Sequence, residues 1–290
     1  MIKFRLIIGI NLLLLYKASV LSVAFHLFWF YNTFIKVSEA ARLLRIIFTI
    51  IACIFRMPVW IFRLYRMSGS RGNYTREEKY AFLHKIINCI LRRGRVTVKC
   101  KGLENLPAGG TTDGGYILYP NHQGLFDSLS MVRHFSTPFS IVAKKELESV
   151  FMLKNVLFLL GAEFMDRDDI RQSMKIIQNV SKRVKEGENF VIFPEGTRSR
   201  NGNSLIEFKA GAFKAASMAH APIVPVALVD SFIPFDYNSI KKTTVYMYIL
   251  EPIFYDEYKD LKTTEIADIV KKRIEEKIAG HLSIIPSAAK

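Results

Sequence analysis

Cysteine is scarce in this 290-residue chain, which contains only Cys53, Cys89 and Cys100. Their spacings match no metal-binding pattern, and an odd number does not make a complete disulfide framework. Cys53 also lies within an apolar run. The sequence therefore predicts reduced thiols that are buried or face lipid, which is typical of a protein on the cytosolic side of a membrane.

Acidic residues are nearly absent from residues 1–74, which contain ten Lys or Arg and one acid, Glu39. This quarter of the chain carries +9 of the total formal charge of +15. Positive charge mixed with long apolar runs favours an anionic membrane as the partner. Because no nucleic-acid-binding motif is present, nucleic acid is not an expected partner.

Charged residues are missing altogether from residues 18–35, ASVLSVAFHLFWFYNTFI. A helix needs ~20 apolar residues to cross a bilayer core, so this run is a borderline span. It continues past a normal signal-peptide core and has no convincing small-residue cleavage site, which disfavours a cleaved signal peptide.

A second apolar stretch, residues 41–66, is interrupted by five arginines: Arg42, Arg45, Arg56, Arg63 and Arg66. On one continuous helix they would share a face about 120° wide, which favours lipid head groups. Pro58 is expected to kink or end the helix. We therefore predict a two-helix membrane anchor over residues 1–67, with the second helix at the interface. Two ordinary spans with snorkelling arginines are the alternative.

The Gly/Ser-rich stretch MSGSRGNY, residues 67–74, marks the predicted boundary of an α/β domain over residues 68–290. Asp168 is the predicted N-cap of one of its helices, and Gly187 follows the end of that helix. The alternating patterns predict a mixed sheet covered by helices. Predicted strands lie at 95–102, 115–120, 139–144, 189–194, 222–229 and 243–250, and predicted helices at 75–93, 168–187, 207–220 and 263–279.

One polar stretch that follows a predicted strand is NHQGLFD, residues 121–127. Loops beyond strand ends are where reactive residues of α/β sheets tend to lie. Asp127 can orient one ring nitrogen of His122 while the other takes a proton. This pairing requires His122 in the turn and Asp127 in the next helix. In isolation, a turn histidine and a helix cap are the more common interpretation.

FPEGTRSR, residues 193–200, supplies an acid, a glycine turn, a hydroxyl and two arginines after a buried strand. Arg198 suits bidentate contact with phosphate, although an isolated stretch of this kind is as often a solvated turn. GAEFMDR, residues 161–167, adds Arg167.

Together with APIVPVALV at 221–229, these stretches resemble the glycerolipid acyltransferase family, in particular the bacterial 1-acyl-sn-glycerol-3-phosphate acyltransferases. The family motifs N-H-x4-D, G-x-x-F-x-x-R, F-P-E-G-T-R-S and V-P-x-x-P-V have counterparts in this order between about residues 90 and 230. One departure is Glu163, which is acidic where the family usually has an apolar residue.

The resemblance implies an enzyme of phospholipid biosynthesis that moves a fatty acyl group from a thioester donor to the free hydroxyl of 1-acyl-glycerol 3-phosphate, giving phosphatidic acid. His122 would be the general base and Asp127 its charge partner. The implied acceptor-site residues are Glu195, Gly196, Thr197, Arg198 and Arg167, with Lys144 as a weaker match. The donor would be acyl-CoA or acyl-carrier protein, and no bound cofactor or metal is implied. The expected location is the cytoplasmic face of the cell membrane, with an anionic lipid surface and a lipid acceptor as partners.

Alternatives stay open from the sequence. The acceptor could be another lysophospholipid or glycerol 3-phosphate, and a non-catalytic membrane-binding protein could share the fold. The chain has no G-x-S-x-G motif and no cysteine near the four motifs, so a covalent acyl-enzyme has little support.

Overall fold

The computed structural model describes residues 44–69, 73–107 and 114–285. Within these ranges the chain forms one seven-stranded sheet in the order β1-β7-β6-β2-β5-β3-β4. The strands are β1 (Val96–Lys101), β2 (Ile117–Pro120), β3 (Phe139–Lys144), β4 (Glu163–Met165), β5 (Asn189–Val191), β6 (Ile223–Val229) and β7 (Thr243–Ile249).

All neighbouring strands pair in parallel except β6 and β7, which are antiparallel. The carboxyl ends of β6, β2, β5, β3 and β4 therefore meet at one edge of the sheet. Every residue of β2 and β6 is buried, which explains why both read as unbroken apolar runs rather than alternating ones.

Helices cover both faces of this sheet. One apolar cluster packs the helices at 57–68, 76–93, 127–134 and 153–159 on one face, and a second packs the helices at 170–185, 214–219, 255–258 and 263–284 on the other. The predicted mixed α/β architecture is thereby confirmed. The helices are α1 (Leu44–Cys53), α2 (Met57–Ser68), α3 (Arg76–Arg93), α4 (Asp127–His134), α5 (Leu153–Leu159), α6 (Ile170–Lys185), α7 (Lys214–Ala219), α8 (Ile233–Asp236), α9 (Tyr255–Tyr258) and α10 (Thr263–Ile284).

Local capping sets the helix boundaries. α3 begins with a capping box between Thr75 and Glu78. The predicted N-cap of α6 was wrong by one residue, since Asp169 rather than Asp168 accepts the hydrogen bond from the Gln172 N–H, at 3.0 Å. β4 and α5 escaped prediction because three and seven residues are too few to show a period.

The first predicted anchor helix, residues 18–35, lies outside the described residues. α1 and α2 are separated at residues 54–56 and bent by 89°, with Pro58 in the first turn of α2, so the predicted break is confirmed. In the part of the chain that the structure describes, neither helix alone has the length and apolarity of a membrane span, whereas the bent pair has both when taken together.

The predicted stripe of five arginines was wrong for Arg45. Its side chain is only 1% exposed. Nη1 donates to the Gly94 carbonyl at 2.7 Å, and Nη2 donates to the Lys241 carbonyl and to Thr243 Oγ1, each at 2.8 Å. The prediction of a stripe assumed one continuous helix over residues 41–66. The bend between α1 and α2 interrupts the helical period on which the stripe depended. Arg45 instead ties α1 to the starts of β1 and β7.

The other arginines of the predicted stripe differ from Arg45. Arg56, Arg63 and Arg66 are exposed, and Arg42 lies outside the described residues. α2 also contributes Leu64 and Met67 to the apolar cluster of the α/β domain. The division of the chain at residue 67 stays a prediction.

Candidate active site

The sequence-predicted site residues all follow strands that end at the same edge of the sheet. His122 follows β2, residues 193–198 follow β5, Arg167 follows β4, and Lys144 is the last residue of β3. Because these strands are parallel, their carboxyl ends bring the stretches into one region.

His122 lies in the turn after β2, and Asp127 is the first residue of α4. His122 Nδ1 and Asp127 Oδ2 are 2.6 Å apart, which is the arrangement that the sequence required for a base and its orienting carboxylate. The histidine side chain is 21% exposed and the aspartate is fully buried. No residue in the described ranges hydrogen-bonds Nε2, so that nitrogen is available to a substrate hydroxyl.

The Asp127 carboxylate is fixed by three further donors. Oδ2 accepts the backbone N–H groups of Gln123, at 2.7 Å, and Gly124, at 3.0 Å. Oδ1 accepts the hydroxyl of Ser231, a fully buried residue just after β6. A buried carboxylate needs such partners, and here they also fix its position beside the imidazole.

Two side-chain amides tie the histidine turn to β6. Asn121 accepts from the Leu228 N–H at 2.7 Å and donates to the Leu228 carbonyl at 3.1 Å. Gln123 donates to the same carbonyl at 2.9 Å and accepts from the Ser231 N–H at 2.8 Å. The position of His122 is therefore set by β6 as well as by β2.

The stretch after β5 holds His122 from the other side. Glu195 Oε1 accepts the His122 N–H at 2.7 Å, and the Ser199 N–H donates to the His122 carbonyl at 2.8 Å. The Phe193 ring stacks on the imidazole with 4.2 Å between ring centroids. This stretch thus contacts the backbone and the side chain of the histidine.

Glu195 is almost fully buried, and burial raises the pKa of its carboxyl group. Its second oxygen, Oε2, accepts the Ile206 N–H at 3.2 Å. Both carboxylate oxygens therefore face backbone donors. The direct contact between Glu195 and the acceptor that the resemblance implied stays a prediction.

Two guanidinium groups at this edge have no hydrogen-bond or ion-pair partner among the described residues. Arg198 is half-buried and Arg167 is exposed. Two residues separate Arg198 from Glu195, which accepts the His122 N–H. Of these, Gly196 turns the chain with φ +70°, and Thr197 is exposed. Such unpaired guanidiniums suit an anionic substrate group. The Lys144 ammonium is already paired with Glu146.

Glu163, the departure from the family pattern, has partners on α6. Its Oε1 is ion-paired with Arg183 and accepts from Asn179 Nδ2 at 2.7 Å. Arg183 also donates to the Gly161 carbonyl at 3.1 Å. The acidic side chain therefore anchors the short strand that leads to Arg167.

Sequence reasoning missed Ser231, Asn121 and Gln123. A signal for Ser231 was present, because it lies two residues after the end of an apolar strand, and the two motif loops also follow strands. Within the described residues, no group of three or more His, Cys, Asp or Glu side chains is placed to hold a metal ion.

Several known proteins are similar to this chain. A family model described as Acyltransferase matches residues 97–229. The 1-acyl-sn-glycerol-3-phosphate acyltransferase of Borreliella burgdorferi is 32% identical over 180 residues, which cover 60% of this chain and 70% of that protein. The Escherichia coli enzyme of the same name is 30% identical over 174 residues, covering 60% and 71%.

A solved structure shares the fold. The crystal structure of the 1-acyl-sn-glycerophosphate (LPA) acyltransferase PlsC from Thermotoga maritima aligns with a TM-score of 0.61 and 21% identity. The alignment covers 84% of this chain and 98% of that one. From the sequence relatives and the motif geometry, the chain belongs to the family of 1-acyl-sn-glycerol-3-phosphate acyltransferases and is an enzyme.

Proposed function

We propose that the chain transfers a fatty acyl group from a thioester donor to the free hydroxyl of 1-acyl-glycerol 3-phosphate, giving phosphatidic acid. The observation that carries this proposal is the 2.6 Å contact between His122 Nδ1 and the buried Asp127 carboxylate, with Nε2 left available. The names of the sequence relatives supply the reaction.

The proposed chemistry is direct transfer. His122 Nε2 removes the proton of the acceptor hydroxyl as its oxygen attacks the thioester carbonyl. Asp127, on the other ring nitrogen, stabilises the imidazolium that forms. The carbon–sulfur bond then breaks, and the departing thiolate takes the proton back from His122. Acyl-CoA and acyl-carrier protein are both donors of this chemical class.

The acceptor is proposed from charge. Arg198 and Arg167 lie at the same edge of the sheet as His122 and have no hydrogen-bond or ion-pair partner among the described residues. Two guanidiniums match the charge of a phosphomonoester better than that of a substituted phosphodiester. Lysophosphatidate is therefore favoured over lysophospholipids with a larger head group. Glycerol 3-phosphate has the same phosphate and is the second candidate.

We place the enzyme on the cytoplasmic face of the cell membrane, with the anionic lipid surface as its partner. The support is the apolar surface of α1, α2 and the turn between them, beside the exposed Arg56, Arg63 and Arg66. Exposed apolar side chains in this segment are Leu44, Ile47, Phe48, Ile51, Phe55, Val59, Phe62 and Tyr65. A lipid acceptor and product require such an orientation.

An acceptor panel tests the proposal. Purified protein in neutral detergent micelles is given labelled acyl-CoA or acyl-carrier protein together with lysophosphatidate, lysophosphatidylcholine, lysophosphatidylethanolamine or glycerol 3-phosphate. We expect labelled phosphatidic acid from lysophosphatidate with at least one donor. No product from lysophosphatidate with either donor would refute the assignment.

A further inference from the structure

A groove with a volume of about 560 Å³ lies between the start of α2, one face of α3 and β1. The residues that line it include none of residues 121–127 and none of the implied acceptor-site residues. Four cations line it, Arg56, Lys85, Arg92 and Arg133, together with the Trp60 ring, and no carboxylate does.

The four cations come from three separate parts of the fold. Arg56 precedes α2, Lys85 and Arg92 lie seven residues apart on one face of α3, and Arg133 is in the last turn of α4. Their convergence is therefore a product of tertiary packing, and it was not visible as a run of charge in the sequence.

None of these four side chains has an ion-pair or hydrogen-bond partner among the residues that the structure describes. Like charges gathered in one concave site repel one another unless an anion neutralises them. Guanidinium groups match the geometry of phosphate oxygens in particular. The four cations of the groove therefore suit a phosphate group.

The neighbourhood of the groove indicates where the phosphate comes from. Phe55 is 80% exposed and Val59 is 58% exposed, and these residues directly precede the groove residues Arg56 and Trp60. A tryptophan between an apolar surface and a polar one is typical of the membrane interface. A soluble anion would not need this apolar border.

We propose that the groove binds the phosphate-bearing head group of an anionic phospholipid in the bilayer that α1 and α2 face. This inference rests on the proposed membrane orientation and adds a discrete lipid site, distinct from the catalytic one. α3 and α4, which belong to the α/β domain, would then bind lipid together with the N-terminal helices. The site would fix the orientation of the catalytic edge on the membrane.

The test is binding to vesicles in the absence of any acyl donor. The double variant Lys85→Gln/Arg92→Gln removes two exposed charges of the groove. Since each basic residue near an anionic surface contributes about 1 kcal/mol, we expect about 30-fold weaker binding to phosphatidylcholine vesicles containing phosphatidylglycerol. Binding to pure phosphatidylcholine vesicles is expected to be unchanged.

A matched control is available on the opposite face of the sheet. Lys175 and Lys182 are also exposed and also lie seven residues apart, on α6. Lys175→Gln/Lys182→Gln removes the same net charge and is expected to leave vesicle binding unchanged. Circular dichroism of both double variants checks that they are folded.

Three results would overturn the proposal. Equal weakening in both double variants would show a diffuse effect of net charge. Unchanged vesicle binding with a raised KM for acyl-CoA would assign the groove to the donor's phosphates. A native chain that transfers acyl groups in micelles but binds neither vesicle would refute the lipid site and leave the proposed reaction standing.

Discussion

Replacement of Glu195 by Gln distinguishes two possible roles of its carboxylate. One is direct contact with the acceptor, and the other is fixing the position of His122 through its backbone N–H. In the structure, its two carboxylate oxygens accept the N–H groups of His122, at 2.7 Å, and Ile206, at 3.2 Å. Glutamine keeps the volume but has one accepting oxygen, so its amide N–H₂ must face one of these donors. One buried backbone N–H loses its partner.

The cost of the change follows from that loss. A buried donor without a partner costs about 1–3 kcal/mol. For a domain of this size, a loss of about 2 kcal/mol lowers the Tm by roughly 4–8 °C. Because one of the two donors is the His122 N–H, we also expect kcat to fall while the KM for lysophosphatidate changes little.

Thermal denaturation followed by circular dichroism, together with initial rates against lysophosphatidate concentration, measures both effects. Glu207→Gln is the matched control, since Glu207 is an exposed glutamate whose contact is an ion pair with Lys271. An unchanged Tm with a raised KM and an unaltered kcat in Glu195→Gln would show that Glu195 binds the acceptor and that its contact with the His122 N–H is incidental.

Three further substitutions test other contacts. Ser231→Ala removes the donor to Asp127 Oδ1. It is expected to lower kcat about tenfold at constant KM, because the loss of this hydrogen bond raises the activation free energy by about 1.4 kcal/mol. An unchanged kcat would show that the other three donors to the Asp127 carboxylate suffice. Arg45→Met leaves the Gly94 carbonyl without its side-chain donor, whereas the Lys241 carbonyl keeps the Thr243 hydroxyl, at 3.2 Å. It is expected to cost about 1–3 kcal/mol in urea unfolding, and equal stability would show that α1 is not anchored by Arg45. Burial lowers the pKa of His281, whose Nδ1 contacts the Tyr248 hydroxyl at 2.7 Å, so its folded pKa is below the unfolded value. The native chain should therefore lose stability as the pH falls below about 6.5, and His281→Gln should show a shallower fall of Tm with pH; parallel curves would contradict this.

The layered fold was predictable because its main signals are local. The short apolar runs at 139–144 and 223–229 and the alternation at 243–249 are typical of strands. The proximity of His122 and Asp127 was predictable only on the condition that the first lies in a turn and the second opens a helix. That condition holds in the structure.

The contacts that position the histidine were not predictable from local sequence. Ser231 meets Asp127 from 104 residues away, and Arg45 meets the Lys241 carbonyl from 196 residues away. Where one partner is a backbone N–H or carbonyl, the residue type at that position does not reveal the contact. For the same reason, the role of Glu195 as a clamp on the His122 N–H could be seen only once the strands were in place.

The most direct test of the central claim is the rate of acyl transfer to lysophosphatidate by His122→Ala. His220→Asn is the control, because His220 is an exposed histidine at the opposite, amino end of β6. Loss of a general base is expected to lower kcat by about 10²–10⁴-fold, with vesicle binding and Tm close to native. A His122→Ala enzyme with a kcat as high as that of the control would contradict the account.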